Sequence, residues 1–220
     1  MNLSIDFETQ SLSGWGRTNY SSARIYTPKD IEEIKYLIDK KVNPLISRGL
    51  GRSYGDPAQC RGGNVIDTRN FNTLHLDKKR GVLLAGGGAK FSEILKYIVP
   101  RGFFLPVSPG TKNITVGGAI SSDVHGKNHH CDGSFANHVL QISLIDGQGN
   151  LRTLCPFDIS TSPAFWATAG GMGLTGVIVE AKFKLISITS SQIKVNTQKF
   201  YELDSLMDSM VENDNYCRYS

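Results

Sequence analysis

Ser47-Arg48-Gly49-Leu50-Gly51-Arg52-Ser53-Tyr54-Gly55-Asp56 is the stretch on which the reading of this chain turns. Three glycines and two arginines follow the short apolar segment Leu45-Ile46. Glycine lacks a Cβ, so the backbone can turn sharply and come close to a ligand. Successive main-chain N–H groups in such a turn make a concave anion site, and arginine adds a fixed fork of donors suited to phosphate. The segment predicts a loop that wraps a phosphate-bearing ligand. Two further stretches strengthen that expectation: Pro109-Gly110-Thr111 through Thr115-Val116-Gly117-Gly118, and His125-Gly126-Lys127-Asn128-His129-His130.

Around these loops the chain alternates strand and helix signals. Thr27-Pro28-Lys29-Asp30 predicts a helix start, with Thr27 as cap and Pro28 in the first turn. Ile31, Ile34, Leu37 and Ile38 then share one face, and Asn43-Pro44 ends the helix. Leu45–Ser47 reads as a strand entering the first loop, so the opening unit is helix, strand, ligand loop. Strands are also predicted at 64–67, at 81–85 and at 139–146. The last of these leads through the turn Gly147–Asn150 to Leu151–Leu154. A helix with Phe91, Ile94, Leu95 and Ile98 on one face is stopped by Pro100 and Gly102. Gly176–Leu185 alternates at its end like a strand with one wet face. Interleaved elements with one hairpin favour an α+β fold with mixed sheets over a regular doubly wound one. After Ile188 the texture changes to a polar stretch, then to a helix carrying Leu203, Leu206, Met207, Met210 and Val211. A second domain is therefore expected to begin near 187 and to be cut short.

The 220 residues suffice for one large or two small domains, and 40% hydrophobic content argues against disorder. The net charge of +4 is mild and no long basic block occurs, so nucleic-acid binding is not expected. Cysteines at 60, 131, 155 and 217 form no C-x-x-C pair and are too sparse for a disulfide scaffold. No secretory signal or membrane-spanning run is legible. Reduced thiols and a cytoplasmic location follow as expectations, with peripheral contact at the inner membrane left open. The Asn19 and Asn113 glycosylation patterns are then chance matches.

Three motif readings compete with the ligand loop. Gly51-Arg52-Ser53-Tyr54-Gly55 matches the G-x-S-x-G nucleophile elbow of serine hydrolases, and histidines at 125, 129, 130 and 138 lie downstream. That elbow needs a helix directly after the serine, and Asp56-Pro57 disfavours one. A Rossmann turn is excluded by the spacing of Gly49, Gly51 and Gly55, one residue too long. His125 and His129 stand four apart, but Gly126 and Asn128 indicate a loop and no second ligand pair completes a zinc site. No metal is expected. Trp15 in Gly14-Trp15-Gly16-Arg17 reads as packing or as the edge of a cofactor pocket.

Taken in order, these segments resemble the FAD-binding domain of the p-cresol methylhydroxylase/vanillyl-alcohol oxidase superfamily. The likeness runs from Gly14-Trp15-Gly16-Arg17 through the Arg48–Asp56 loop, Pro109-Gly110-Thr111, Thr115–Ile120 and His125–His130. It continues through Gly133-Ser134-Phe135, Asn137-His138, Phe165–Thr168, Gly170-Gly171 and Gly173–Gly176, covering roughly 14–186. It implies an FAD-binding domain over 1–186 built of two α+β subdomains, with 187–220 starting a substrate domain.

The resemblance also implies roles. Ser47, Arg48, Gly49, Leu50, Gly51, Arg52, Ser53, Tyr54, Gly55, Asp56 and Pro57 would hold the FAD pyrophosphate. Gly110, Thr115, Val116, Gly117 and Gly118 would close the other side. His125, Gly126, Lys127 and Asn128 would lie by the ribityl chain and flavin ring, and Val177 and Ile178 would meet the adenine. Tyr54, His125 and Lys127 would approach the substrate as catalytic candidates. Many members attach FAD covalently through a histidine in the first loop or a cysteine in the second. Here those places hold Arg52 and Ser108-Pro109-Gly110, so non-covalent FAD is expected. The implied reaction takes hydride from a secondary alcohol of a sugar to flavin N5. The implied substrate is a polyprenyl-phosphoryl ribose oxidised at C2 in the making of cell-wall arabinan precursors, with a separate reductase partner completing an epimerase. Further family residues, a lysine among them, lie in the substrate domain, so an incomplete catalytic site is expected. The rival readings are an alditol or aldonolactone oxidase, an FAD binder without catalysis, and a serine hydrolase using Ser53.

Overall fold

The computed structural model describes residues 5–214 and 216–219. The first third of the chain forms β1 (Phe7–Ser13), β2 (Tyr20–Tyr26), α1 (Ile31–Asp39), β3 (Leu45–Arg48) and β4 (Asn64–Asp67). These strands make a sheet of order β1-β2-β4-β3. β1 is antiparallel to β2, whereas β2 and β3 both run parallel to β4. Next come β5 (Leu74–Asp77), β6 (Val82–Gly86), α2 (Phe91–Ile98), β7 (Phe103–Phe104), α3 (Val116–Ser121) and α4 (His129–Asp132). The chain continues through β8 (Val139–Ile145), β9 (Leu151–Leu154), α5 (Ser162–Thr168), β10 (Val177–Lys184), β11 (Ile186–Ser187) and α6 (Leu203–Asn213). A five-stranded sheet of order β5-β6-β10-β8-β9 results, with every neighbour antiparallel. The fold is α+β with a mixed first sheet and an antiparallel second one; β7 and β11 add a short antiparallel pair.

The core sits on one face of the five-stranded sheet, under α2 and α3. Three phenylalanines from distant segments form its middle. Phe135 stacks at 5.3 Å from Phe91 of α2 and at 5.2 Å from Phe183 of β10, all fully buried. Offset aromatic packing of this kind adds directional preference to plain area burial. A smaller cluster joins α1 (Ile34, Leu37) to Tyr26, Ile66, Ile145, Val177 and Val179, tying the two sheets together.

β5, α4 and α5 were not expected from the sequence, and three further details depart from it. The cap of α1 is Asp30, not Thr27: its Oδ1 accepts from the Glu33 N–H at 2.9 Å, and the Glu33 carboxylate in turn accepts from the Lys29 N–H at 2.8 Å. Pro28 therefore precedes the helix and lies outside its first turn. β1 and β2 occupy a stretch whose polar composition hides them, since β1 buries no side chain and is held by pairing alone. α3 forms despite two glycines because Thr115 caps it, its Oγ1 accepting from the Gly118 N–H. Past Ile188 the expected change of texture is present: 189–200 carry no regular structure and α6 buries none of its side chains.

The triplet Gly86-Gly87-Gly88 closes β6 without space for side chains. A Cβ at these positions would lie 2.2 Å from the Phe71 carbonyl oxygen, 2.0 Å from that of Ile178 and 2.0 Å from that of Thr68. Backbone cannot yield as a side chain can, so Gly87→Ala is expected to destabilise the fold by roughly 1–3 kcal/mol. Gly147, where an added Cβ meets nothing within 4 Å, is the control: Gly147→Ala is expected to stay within about 0.5 kcal/mol of the parent in urea denaturation.

Candidate functional site

β3 delivers the chain to the first glycine loop, and the loop forms one wall of a cleft of about 670 Å³. Pro109–Thr111, Ile114, Thr115, Gly117, Gly118, Ser121 and Ser122 supply the facing wall, and Val124, His125, Met172, Gly173 and Ile178 complete the cleft. A volume of this size suits a cofactor or small ligand.

The first loop is held from behind by Arg48. Its guanidinium is half-buried, donating through Nη1 to the Ala58 carbonyl and through Nη2 to the Ser13 carbonyl, both at 2.8 Å. Burial pushes its pKa down, more than the nearby Asp67 carboxylate lifts it, and Arg69 and Arg52 push the same way as burial. The loop bends around this group at Gly51, whose φ of +62° and whose missing Cβ, which would lie 2.1 Å from Arg48 Nη2, leave no room for another residue. Gly49 is pressed as tightly against the opposite wall, where a Cβ would meet Thr115 Oγ1 at 2.2 Å.

The consequence is a row of unused donors. Among the described residues, no main-chain N–H from Leu50 to Asp56 donates to an acceptor within the chain. The opposite wall differs. Val116 N–H donates to the Ala89 carbonyl at 3.0 Å, Gly117 N–H to that of Gly87 at 2.7 Å, and Gly118 N–H to Thr115 Oγ1 at 3.2 Å. α3 thus offers a smooth glycine surface instead of donors. Where the walls meet, Arg52 lies over the Trp15 ring at 5.3 Å and reaches the Asn113 carbonyl at 3.3 Å. Trp15 itself is tied down by its N–H to the Ser53 carbonyl at 2.8 Å.

Most of the residues expected at a ligand site come together here. Ser47, Arg48, Gly49, Leu50, Gly51, Arg52, Ser53, Tyr54, Gly55, Pro57, Gly110, Thr115, Gly117, Gly118, His125 and Ile178 all line the cleft. Asp56, Val116, Gly126, Lys127, Asn128 and Val177 do not. Val177 and Ile178 are neighbours on β10, and successive strand side chains point to opposite faces. Val177 accordingly enters the small core with α1. Val116 faces the main core. Asn128 is fully buried, its Nδ2 donating to the Pro106 carbonyl at 2.8 Å and to Asp132 Oδ2 at 2.6 Å. Of the catalytic candidates, Tyr54 and His125 are exposed on the cleft, while Lys127 is exposed outside its lining.

Thr68, Ser121, Ser122 and Met172 join the site without having been expected. Met172 has a φ of +52°, an uncommon conformation for a side chain of its size, and its N–H donates to the Ser121 carbonyl at 2.8 Å. The Gly170-Gly171 and Gly173 punctuation around it is the one sequence signal that marks the segment. Ser53 is not followed by a helix: 54–58 form bends and a turn, and among the described residues no histidine ring bonds to it. The nucleophile-elbow geometry is missing. Among the described residues no three His, Cys, Asp or Glu side chains converge to hold a metal ion.

The donor row and open walls fit a diphosphate-linked ring system: free N–H groups would meet the phosphates, and Ile114, Val124, Met172 and Ile178 offer apolar contact to rings. Comparison with known proteins agrees. Residues 22–154 match the family model described as "FAD binding domain", and the chain belongs to that family. FAD is the cofactor of this domain type. Decaprenylphosphoryl-beta-D-ribose oxidase of Mycolicibacterium smegmatis is 42% identical over 80% of this chain and 39% of its own length. An uncharacterised oxidoreductase from the fasciation locus of Rhodococcoides fascians is 31% identical over 75% and 37%. Cytokinin dehydrogenase 2 of Arabidopsis thaliana is 25% identical over 76% and 34%. The chain spans between a third and two fifths of the length of these relatives.

Arg48→Met is expected to leave the Ser13 and Ala58 carbonyls without donors, costing about 1–3 kcal/mol in urea denaturation and collapsing the loop onto the cleft. A pH dependence is expected at the foot of the site. Burial raises the Asp132 pKa, but hydrogen bonds from Arg218 and Asn128 outweigh that and hold it below the usual carboxylate range. A depressed carboxylate contributes stability above its unfolded pKa of about 3.9 and loses it as pH falls through the lower folded value. The stability difference between the parent and Arg218→Ala is therefore expected to be constant from pH 7 to about pH 4 and to vanish on further acidification.

Proposed function

We propose that this chain is the FAD-binding part of an oxidoreductase that oxidises a secondary alcohol of a sugar, a polyprenyl-phosphoryl ribose at C2. The observation that carries the flavin part is the row of N–H groups from Leu50 to Asp56 that have no acceptor among the described residues. The sugar part rests on the 42% identity to the mycobacterial decaprenylphosphoryl-ribose oxidase. When bound, FAD supplies a hydride acceptor at its N5 position.

The chain's own residues divide the work. The Ser47–Pro57 loop binds the diphosphate. Gly110, Thr115, Gly117 and Gly118 let the cofactor lie close against the second wall, and the main chain at Val177 and Ile178 borders the adenine. His125, exposed at the cleft, is the base that accepts the alcohol proton, because a ring nitrogen of an imidazole can act as a general base toward a hydroxyl within reach. Tyr54 and Lys127 assist on the substrate side, Lys127 by its charge toward a substrate phosphate. Arg52, stacked on Trp15, takes the place of a nucleophile for covalent attachment, so FAD is held non-covalently.

The flavin unit in this reading comprises 1–186, as two α+β subdomains built on the two sheets. Residues 187–220 begin the substrate domain, a division supported by the irregular 189–200 segment and the unburied α6. A ketone product calls for a reductase partner that returns it to the opposite alcohol. Among the described residues no helix is long and apolar enough to cross a membrane; a lipid-linked sugar would be met by a cytoplasmic protein at the membrane surface.

Titration of the chain with FAD is expected to quench flavin fluorescence to a one-to-one endpoint, and acid precipitation to leave all flavin in the supernatant. Gly51→Ala is expected to weaken binding at least about tenfold. Absence of quenching in the parent chain refutes the flavin site, and flavin retained in the pellet refutes non-covalent attachment.

A further inference from the structure

The segment after α6 returns to the His125–Asp132 region and grips it. Arg218 Nε and Nη2 donate to the two Asp132 carboxylate oxygens, each at 2.9 Å. His130 Nε2 lies 3.3 Å from the Cys217 carbonyl and 3.4 Å from Asp214 Oδ1. A forked guanidinium–carboxylate pair fixes direction as well as distance, which a lysine pair does not. Asp132 then hands the constraint inward: its Oδ2 accepts from Asn128 Nδ2 at 2.6 Å, and the same Nδ2 donates to the Pro106 carbonyl at 2.8 Å.

Asn128 is the pivot of this chain of contacts. It is fully buried, and its Oδ1 has no hydrogen-bond partner. The orientation is forced, because both acceptors lie on the Nδ2 side. Oδ1 is left beneath Gly126, where a Cβ would come within 2.8 Å of it. A buried unpaired acceptor is costly, so the Asn128 side chain keeps its place only while Asp132 and Pro106 hold its other end. The turn it supports is the one carrying His125 to the cleft: His129 N–H donates to the Gly126 carbonyl at 3.1 Å, and Asp132 N–H to the Asn128 carbonyl at 2.9 Å.

We propose that Arg218 is a positioning residue for the cofactor-facing His125–Asn128 turn, acting through Asp132 and Asn128. The segment beyond the flavin unit then reports its own placement to the flavin site through one ion pair and one buried amide. The flavin consequence rests on the FAD reading above; the mechanical coupling does not. Neither Arg218 nor Asp132 lines the cleft, so the effect passes entirely through the turn.

Amide hydrogen exchange on the 220-residue chain without FAD tests the coupling, with the His129 amide as reporter. Arg218→Ala is expected to speed His129 exchange at least about threefold, Asn128→Asp to do the same, and the double variant to exceed Asn128→Asp by nothing. In the FAD-loaded chain Arg218→Ala is expected to move the visible flavin band, and Arg218→Lys to restore it only in part. If Arg218→Ala leaves His129 exchange and the flavin band unchanged, or if the two substitutions act multiplicatively, the proposal is overturned. Should Asn128→Asp fail to fold, the surface variant Arg218→Ala alone decides. A parent chain that takes up no FAD sinks the flavin assignment, while the exchange data still judge the coupling.

Discussion

One half-buried guanidinium braces the ligand loop. Arg48 ends β3 and donates to the carbonyl of Ala58, just past the loop, and to that of Ser13 at the end of β1. Buried main-chain groups normally find partners, whereas those facing an open cleft can be left to solvent or to a ligand. Here the ends are tied by a side chain, so the N–H groups between them stay unclaimed. The open wall of the cleft and its donor row go with that division.

The second wall works by the reverse arrangement. Its N–H groups are consumed by the carbonyls of Gly87 and Ala89 and by the Thr115 hydroxyl. Those bonds hold α3 against the end of β6, and Gly117, where a Cβ would lie 3.0 Å from the Gly87 carbonyl oxygen, permits the approach. One glycine loop therefore presents unpaired donors to the cleft, while the other has its donors paired and presents a surface without side chains. The same residue type serves two physical purposes a few ångströms apart, and only the hydrogen-bond partners tell them apart.

Periodicity made much of the fold legible. β3, β4, β6, β8 and β10 follow apolar runs, and α1 and α2 follow i, i+3, i+4 stripes whose faces are buried as expected. β1 was illegible because a strand stabilised by pairing, with no buried side chain, carries no apolar pattern. α3 was illegible because glycine has poor helix propensity, and tertiary contacts at Thr115 overrode it. In the site, the three loops announced themselves through glycine and histidine spacing. Ser121, Ser122 and Met172 did not, since polar and thioether side chains acquire a role only from what stands opposite them.

The amino-acid sequence by itself marked three loops of unusual composition as candidates to meet a phosphate-bearing ligand, and much of the order in which strands and helices lead to them. Those are local properties, set by missing Cβ atoms, capping groups and side-chain period. Tertiary structure alone decided which N–H groups lack a partner among the described residues, which of Val177 and Ile178 lines the cleft, and that Arg218 reaches Asp132 from 86 positions away. Each depends on partners far off in sequence, and hydrogen-bond occupancy is a property of the partners as much as of the group.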